Sequence, residues 1–506
     1  MAMGKRRQRQ ESLFVTTEGA RSPGHPFYRK LNELLAEADF DRWIERRCGQ
    51  YYNHEEKRGQ PSIPPGIYFR MLLVGYFEGL DSQRGIAWRC ADSLSLRQFL
   101  GVGLDAKTPD HSTLTNTRNR LPEEVFSEVF QFVLRIAAGK ELIDGKTVGV
   151  DSTTLEANAA MKSIVRRDTG EDWNGYVTRL MREDGTIEAD EEPTDEEIRR
   201  YDKRRKNKRV SNDDWQSPID PESRITKLKD GRTHLAYKAE HVVDLQSDLV
   251  LAAEVYQADQ ADTDTLADSV LQAQINLDEA NSDARIEEAV ADKGYHAAHT
   301  LELCQWMGLR TYVPEPRRVH QSVWTDKPSG HRRAVLANRR RTKRAKSKRS
   351  QRLRSERCER TFAHVCDTGG MRRSWLRGTE QLTKRYLIAV AAHNLGRILR
   401  HLFGIGKPKA LQGYFGLAAL VYFAIHYLAR YITALKLRPR RHQPLPRPNT
   451  SATQKNRYFN GLLGLWPINF TNGPERSCSM LLMDNHSPLH NRKNSYSVRS
   501  AKTEEY

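Results

Sequence analysis

Apolar residues recur at helical intervals through the first part of the chain. Between Tyr28 and Arg46, Leu31, Leu34, Leu35, Phe40 and Trp43 mark one face of a helix. Pro64-Pro65 opens a second helix, where proline suits the first turn, and Ile67, Phe69, Leu72, Leu73 and Tyr76 continue it. Short elements are predicted at Gln83–Cys90 and Ser93–Phe99. Pro109-Asp110-His111-Ser112-Thr113 then supplies a turn and an N-cap for a helix carrying Arg118 and Arg120, and Glu123–Ala138 is amphipathic. Residues 26–140 therefore read as an all-α region. Its pattern suits a plain bundle and a helix-turn-helix-like DNA reader equally.

Near Leu142 the period changes. Thr147–Asp151 reads as a strand, and a polar insertion follows at about 159–226, acidic near Glu188–Glu197 and basic from Lys203 to Arg209. With so little apolar material it is expected to be mobile or to fold only against a partner. Strands resume at Thr233–Asp244 and Asp248–Tyr256. A helix (Asp262–Leu277), a strand (Ile286–Asp292), a helix (His296–Met307) and a strand (Leu309–Pro314) come next. Helices are expected around Arg352–Cys366 and Leu382–Leu402. This order predicts an α/β fold, a mixed sheet flanked by helices, and it resembles that of an RNase H-like domain. Four regions result: a basic N-terminus at 1–25, the helical region, an α/β domain at 141–404, and a tail at 405–506. Within the tail, Gly413–Leu437 has a helical pattern interrupted by His426, Arg430 and Lys436, and so is not expected to cross a membrane.

Charge adds a partner to this picture. The net charge is +18 over 506 residues, but the excess is concentrated. Arg317–Arg360 carries 17 Lys or Arg against 3 acids within 44 residues. Such a run favours a polyanion, and nucleic acid is the usual one. Within it, Arg339, Arg340, Arg341, Lys343, Arg344, Lys346, Lys348 and Arg349 are expected to contact phosphates without reading bases. The 6 cysteines show no paired spacing and read as reduced thiols. The polar, basic start of the chain is not a signal peptide, so the expected location is the cytoplasm.

Three acids stand where chemistry is the interesting explanation. Asp151 ends the apolar run Thr147-Val148-Gly149-Val150. Asp292 ends Ala289-Val290-Ala291, and Glu359 lies on the helix that leaves the basic run. In open α/β sheets ligands gather at the carboxyl ends of strands. Carboxylates brought together there suit Mg²⁺, a hard ion preferring oxygen donors, and a pair of such ions about 3.5–4 Å apart drives phosphodiester displacement. Each acid also has a plainer reading. Asp151 and Asp292 can cap turns, and Glu359 can pair with a neighbouring arginine, with Glu356 on nearly the same face. No GxSxG, P-loop or HExxH sequence offers another chemistry.

Several segments together resemble the insertion-sequence DDE transposases of bacteria. Val148-Gly149-Val150-Asp151-Ser152-Thr153 resembles the first-aspartate strand of that family. Ala291-Asp292-Lys293-Gly294-Tyr295 resembles its second-aspartate motif, and Cys358-Glu359-Arg360-Thr361-Phe362 its glutamate motif. Trp375-Leu376-Arg377-Gly378 and His393-Asn394-Leu395-Gly396-Arg397 are similar to the segments that follow. Upstream, Leu80–Ile86 and Pro109–Thr113 are similar to its helical domain. The likeness covers about residues 26–404. It implies an RNase H-like core in which Asp151, Asp292 and Glu359 bind two Mg²⁺ ions, with Mn²⁺ as a substitute. It selects Glu359 over Glu356 through Phe362. The implied partner is double-stranded DNA, at the element's terminal inverted repeats and at the target. The implied assembly is a homodimer at the nucleoid, with Arg352 and Arg354 among the DNA contacts. Two departures concern those contacts: Cys366 stands where many relatives carry Lys, and no Tyr accompanies Arg352 and Arg354. A catalytically inactive, DNA-binding relative is the alternative.

Overall fold

The computed structural model describes residues 24–52, 62–206, 210–227, 231–317, 324–325 and 327–410, together with Met3, Ile425 and His426. The expected helix at 413–437 and nearly all of the tail lie outside the described residues.

The helical region contains α1 (Pro26–Glu37), α2 (Phe40–Cys48), α3 (Pro65–Glu78), α4 (Gln83–Asp92), α5 (Leu94–Leu100), α6 (His111–Arg120) and α7 (Glu123–Gly139). The helix expected over 28–46 is divided at Asp39, whose backbone adopts φ 54°. The caps act as their sequences require. Ser82, Ser93 and Asp110 each accept a hydrogen bond from a backbone N–H of the first turn. Arg70 on α3 is buried, and its guanidinium donates to both Asp41 carboxylate oxygens and to Asn32, tying three helices together.

β1 (Thr147–Glu156) begins the sheet. It outruns the expected Thr147–Asp151 because its polar second half still pairs with a neighbouring strand. The insertion contains β2 (Val165–Arg166), α8 (Trp173–Glu183), α9 (Asp195–Arg204) and β3 (Trp215–Gln216). Contrary to the expectation, it has its own small core, with Val177, Met181 and Ile198 buried against one another. The rest comprises β4 (Arg224–Lys227), β5 (Thr233–Asp244), β6 (Val250–Gln257), α10 (Asp262–Glu279), β7 (Glu288–Val290), α11 (Ala298–Trp306), β8 (Arg310–Tyr312), α12 (Ser329–Thr342), α13 (Ala345–Phe362) and α14 (Thr379–Phe403).

The main sheet runs β6-β5-β1-β7-β8, with β4 paired to the first residues of β5. β5 is antiparallel to β1 and to β6, whereas β7 and β8 run parallel to β1. This is the RNase H-like arrangement, a mixed sheet with helices on its faces and an all-α region ahead of it. α10 covers one face, where Ser269 hydrogen-bonds Glu240 of β5. α13 covers the other, where Leu353 packs on Leu245, Val290 and Tyr312. One continuous apolar core extends through the helical region and the sheet, and α7 packs along α14.

Candidate active site

Side chains alternate along a strand, so Val148 and Val150 point to one face of β1 while Gly149 and Asp151 point to the other. The first pair is buried in the core. The second faces α13, and Arg354 of that helix packs directly over Gly149. The parallel pairing of β1 with β7 aligns Gly149 with Val290. Asp151 and Asp292 each lie two residues further on. Asp151 therefore lies within β1, on the face that α13 covers, and Asp292 at the equivalent height just past the end of β7. Gln351 of α13 fixes the helix there, donating to the carbonyl oxygens of Ala291 (2.9 Å) and Tyr312 (2.5 Å).

Each acid has a defined partner. Asp151 Oδ2 accepts from Arg354 Nη1 at 2.8 Å, and its Oδ1 accepts from the Ser152 backbone N–H at 3.0 Å. Asp292 caps the short turn Lys293–Tyr295, its Oδ1 taking the Gly294 N–H at 2.7 Å. That is the turn its plainer reading anticipated. Glu359 is exposed and accepts from the Ser355 hydroxyl at 3.0 Å. Glu356, one turn earlier, pairs with Arg360. Among the described residues, no three His, Cys, Asp or Glu side chains close on a point that could hold a metal ion. The donors suit a hard divalent cation in kind. In this arrangement the Arg354 guanidinium supplies the positive charge beside Asp151.

Below the acids, the surroundings are rigid. His241 is the cross-strand partner of Asp151. Phe362 stacks on its ring at 4.2 Å between centroids, and Thr361 Oγ1 lies 2.9 Å from Nδ1. Because the Thr361 hydroxyl donates to the Cys358 carbonyl, His241 is assigned as the donor at Nδ1 and as the acceptor from Tyr386 at Nε2. Burial lowers the His241 pKa to about 3, so the ring is neutral and structural. On the opposite face, Ser152 donates to Asp262, Lys238 donates to Asp262 and Thr265, and Tyr295 donates to the buried Glu240 at 2.8 Å. Tyr295 thereby anchors the turn that Asp292 caps. Sequence reasoning missed this network. The signal was present in β5, where Lys238 and Glu240 alternate with the apolar Tyr237 and Ala239 in a buried stretch.

The basic residues divide into two groups. Arg339 forms a two-pronged pair with Glu315, Arg341 donates to the Thr311 carbonyl and hydroxyl, and Lys346 pairs with Glu288. Arg118 donates to Gln381, and Arg120 lies over the Tyr52 ring. Arg340, Lys343, Arg344, Lys348, Arg349 and Arg352 are exposed. Two further cations escaped the sequence reading. Arg372 donates to Thr153 of β1 at 3.0 Å, and Arg373 lies 5.1 Å from the exposed Trp375 ring. A surface cavity lined by Glu123, Glu124, Glu128, Glu279 and Glu380, with Arg135 as its one lining cation, has the wrong sign for a polyanion.

Residues 16–120 match the model of a transposase domain (DUF772), and residues 317–399 match that of a transposase DDE domain. The second match contains Glu359 and most of α14 but leaves out both aspartates. No curated protein and no solved structure matches the chain. A helical transposase domain ahead of an RNase H-like sheet, followed by a DDE segment, defines a protein of DNA transposition. Both matches support an insertion-sequence DDE transposase.

Proposed function

We propose that this transposase binds the terminal inverted repeats of its element, cuts the DNA there, and joins the freed 3′ hydroxyl to target DNA. The observation that carries the reading is the placement of Asp151 on β1 and of Asp292 two residues past the end of β7, the strand parallel to it, with α13, the helix bearing Glu359, packed on both strands. In this reading the three carboxylates hold two Mg²⁺ ions, or Mn²⁺ in their place. Bound there, the ions would activate the attacking oxygen and stabilise the leaving one. Arg354 holds Asp151 until DNA and metal arrive, and its release frees Asp151 Oδ2 as a ligand. The exposed cations of α12 and α13 position the DNA backbone, contributing affinity rather than sequence recognition. Two ends cut in concert call for a homodimer, and the DNA partner places the work at the nucleoid. The regions 26–140 and 141–404 are read as the DNA-binding and catalytic parts, with the segment after 405 an appended tail.

The test is nicking of duplex DNA bearing the element's ends by purified full-length protein with Mg²⁺. Asp292→Ala should bring cleavage below detection and leave DNA affinity within about twofold, since a strand-end acid makes no phosphate contact of its own. Cleavage by the variant at the wild-type rate would remove Asp292 from the chemistry. The ion pair at Asp151 favours a second reading, a relative that binds DNA ends without cutting them. Tight binding with no cleavage in either Mg²⁺ or Mn²⁺ would establish that reading instead.

A further inference from the structure

A second basic site lies on α14 and the six residues that follow it. Tyr76, His364, His393, Arg397, Arg400 and Lys407 line a cavity of about 350 Å³. At its base, Arg357, Arg360 and Arg397 converge on one oxygen of the buried Asp248, at 3.2, 2.7 and 3.0 Å. Arg360 shares a second carboxylate, that of Glu356. Arg400, Lys407 and Lys409 add to the same side without an acidic partner among the described residues. Six cations thus meet two carboxylates.

Two buried donors beside the cavity also lack acceptors. Arg397 Nε and His393 Nε2 are buried, and neither has a hydrogen-bond partner among the described residues. His393 is only 4% exposed, and its Nδ1 lies 3.3 Å from the Tyr76 hydroxyl. Burial holds the ring neutral, so a hydroxyl donating to Nδ1 leaves the single proton on Nε2. His364 is likewise neutral, lowered to about 4 by burial and then by Lys407, Arg397 and Arg360. It therefore accepts from Lys407 Nζ at 2.9 Å and cannot supply the missing negative charge. Buried donors without acceptors are costly, and a group of like charges repels itself. An anion with several acceptor oxygens in the cavity relieves the second condition.

We infer that this cavity seats a phosphate group of the DNA backbone, apart from the acidic strand ends and from the exposed cations of α12 and α13. The inference rests on the DNA-binding reading above. Arg400 and Lys409 are exposed at the rim, so a backbone can pass without being enclosed. Arg397 and Lys407, both lining the cavity, are the inward cations.

The test is fluorescence anisotropy of labelled duplex DNA with the full chain, from about 50 to about 200 mM salt. Calorimetry with inorganic pyrophosphate forms a second arm. The variants are Arg400→Glu/Lys407→Glu and the milder Arg400→Ala/Lys407→Ala; neither residue supports Asp248, and thermal melting checks their folding. Affinity for DNA should fall about tenfold or more in the charge-reversed variant. The salt dependence should become shallower by about one, as for loss of one phosphate contact. Unchanged affinity and slope in both folded variants would overturn the inference. Failure of the wild type to bind DNA would instead overturn the reading on which it rests. Pyrophosphate binding that the variants lose, with DNA affinity untouched, would make the cavity a free-anion site and overturn its assignment to DNA.

Discussion

Gly149 has no room for a side chain. A Cβ there would lie 2.8 Å from Leu245 Cδ2 and 2.9 Å from Arg354 Cγ. The glycine lets α13 approach β1 closely enough for Arg354 to reach Asp151. Gly149→Ala should therefore lower stability by about 1–3 kcal/mol, the usual cost of overpacking, and reduce cleavage further as α13 is pushed off the sheet. Thermal melting and the nicking assay read the two effects, and an unchanged melting temperature would contradict the close fit. Glu254 of β6 offers a test by pH. Burial, and then Glu123 and Glu240, raise its carboxyl from 4.5 to about 7. Between these values the folded chain holds a proton that the unfolded chain has released, so stability falls as pH rises through that window. Glu254→Gln should match the wild type near pH 4.5 and exceed it at pH 8 by up to about 3 kcal/mol, because each pH unit across the window is worth about 1.4 kcal/mol. Denaturant melts at the two pH values decide the point.

At the scale of elements, the basic run is a pair of helices rather than an extended arm. Arginine and lysine are good helix formers, but the run offers few apolar residues at helical spacing, so α12 was hidden in the pattern. Ala334 and Val335 are what it buries. The helical setting sorts cations that look alike in sequence. Arg341 holds Thr311, whereas Lys343, Lys348 and Arg349 face solvent. Replacing those three with Glu should weaken DNA binding and reduce its salt slope by about 2–3, with little change in melting temperature. A slope equal to the wild type's would place the DNA elsewhere. The two aspartates were legible for a different reason. Asp151 and Asp292 each terminate an apolar run, and neighbouring parallel strands align such ends. The Arg354–Asp151 pair was not legible, because it joins residues 203 positions apart through the docking of α13.

For the whole molecule, the change of period near residue 142 marks a change of architecture within one shared core. α7 lies along α14, and a periodic pattern says that a face is buried without saying against what. The insertion is organised on the opposite principle. Its apolar residues are few, yet Val177, Met181 and Ile198 find one another across two helices. Its ends are joined by the β2–β3 ladder, in which Val165 pairs with Gln216 and Arg166 with Trp215. The chain leaves the main sheet at Glu156 and returns to it at Arg224, both opposite Ala236 of β5. Evolution can lengthen, shorten or exchange such a segment without re-threading the protein, and an engineer can do the same. A variant joining Arg166 to position 215 through Asn-Gly, with Trp215→Thr because Trp173 and Tyr176 depart with the segment, should still unfold in one cooperative transition. Loss of that transition would mean that the excursion is part of the sheet's own architecture; its survival would make this side of the transposase a ready attachment point for a foreign domain.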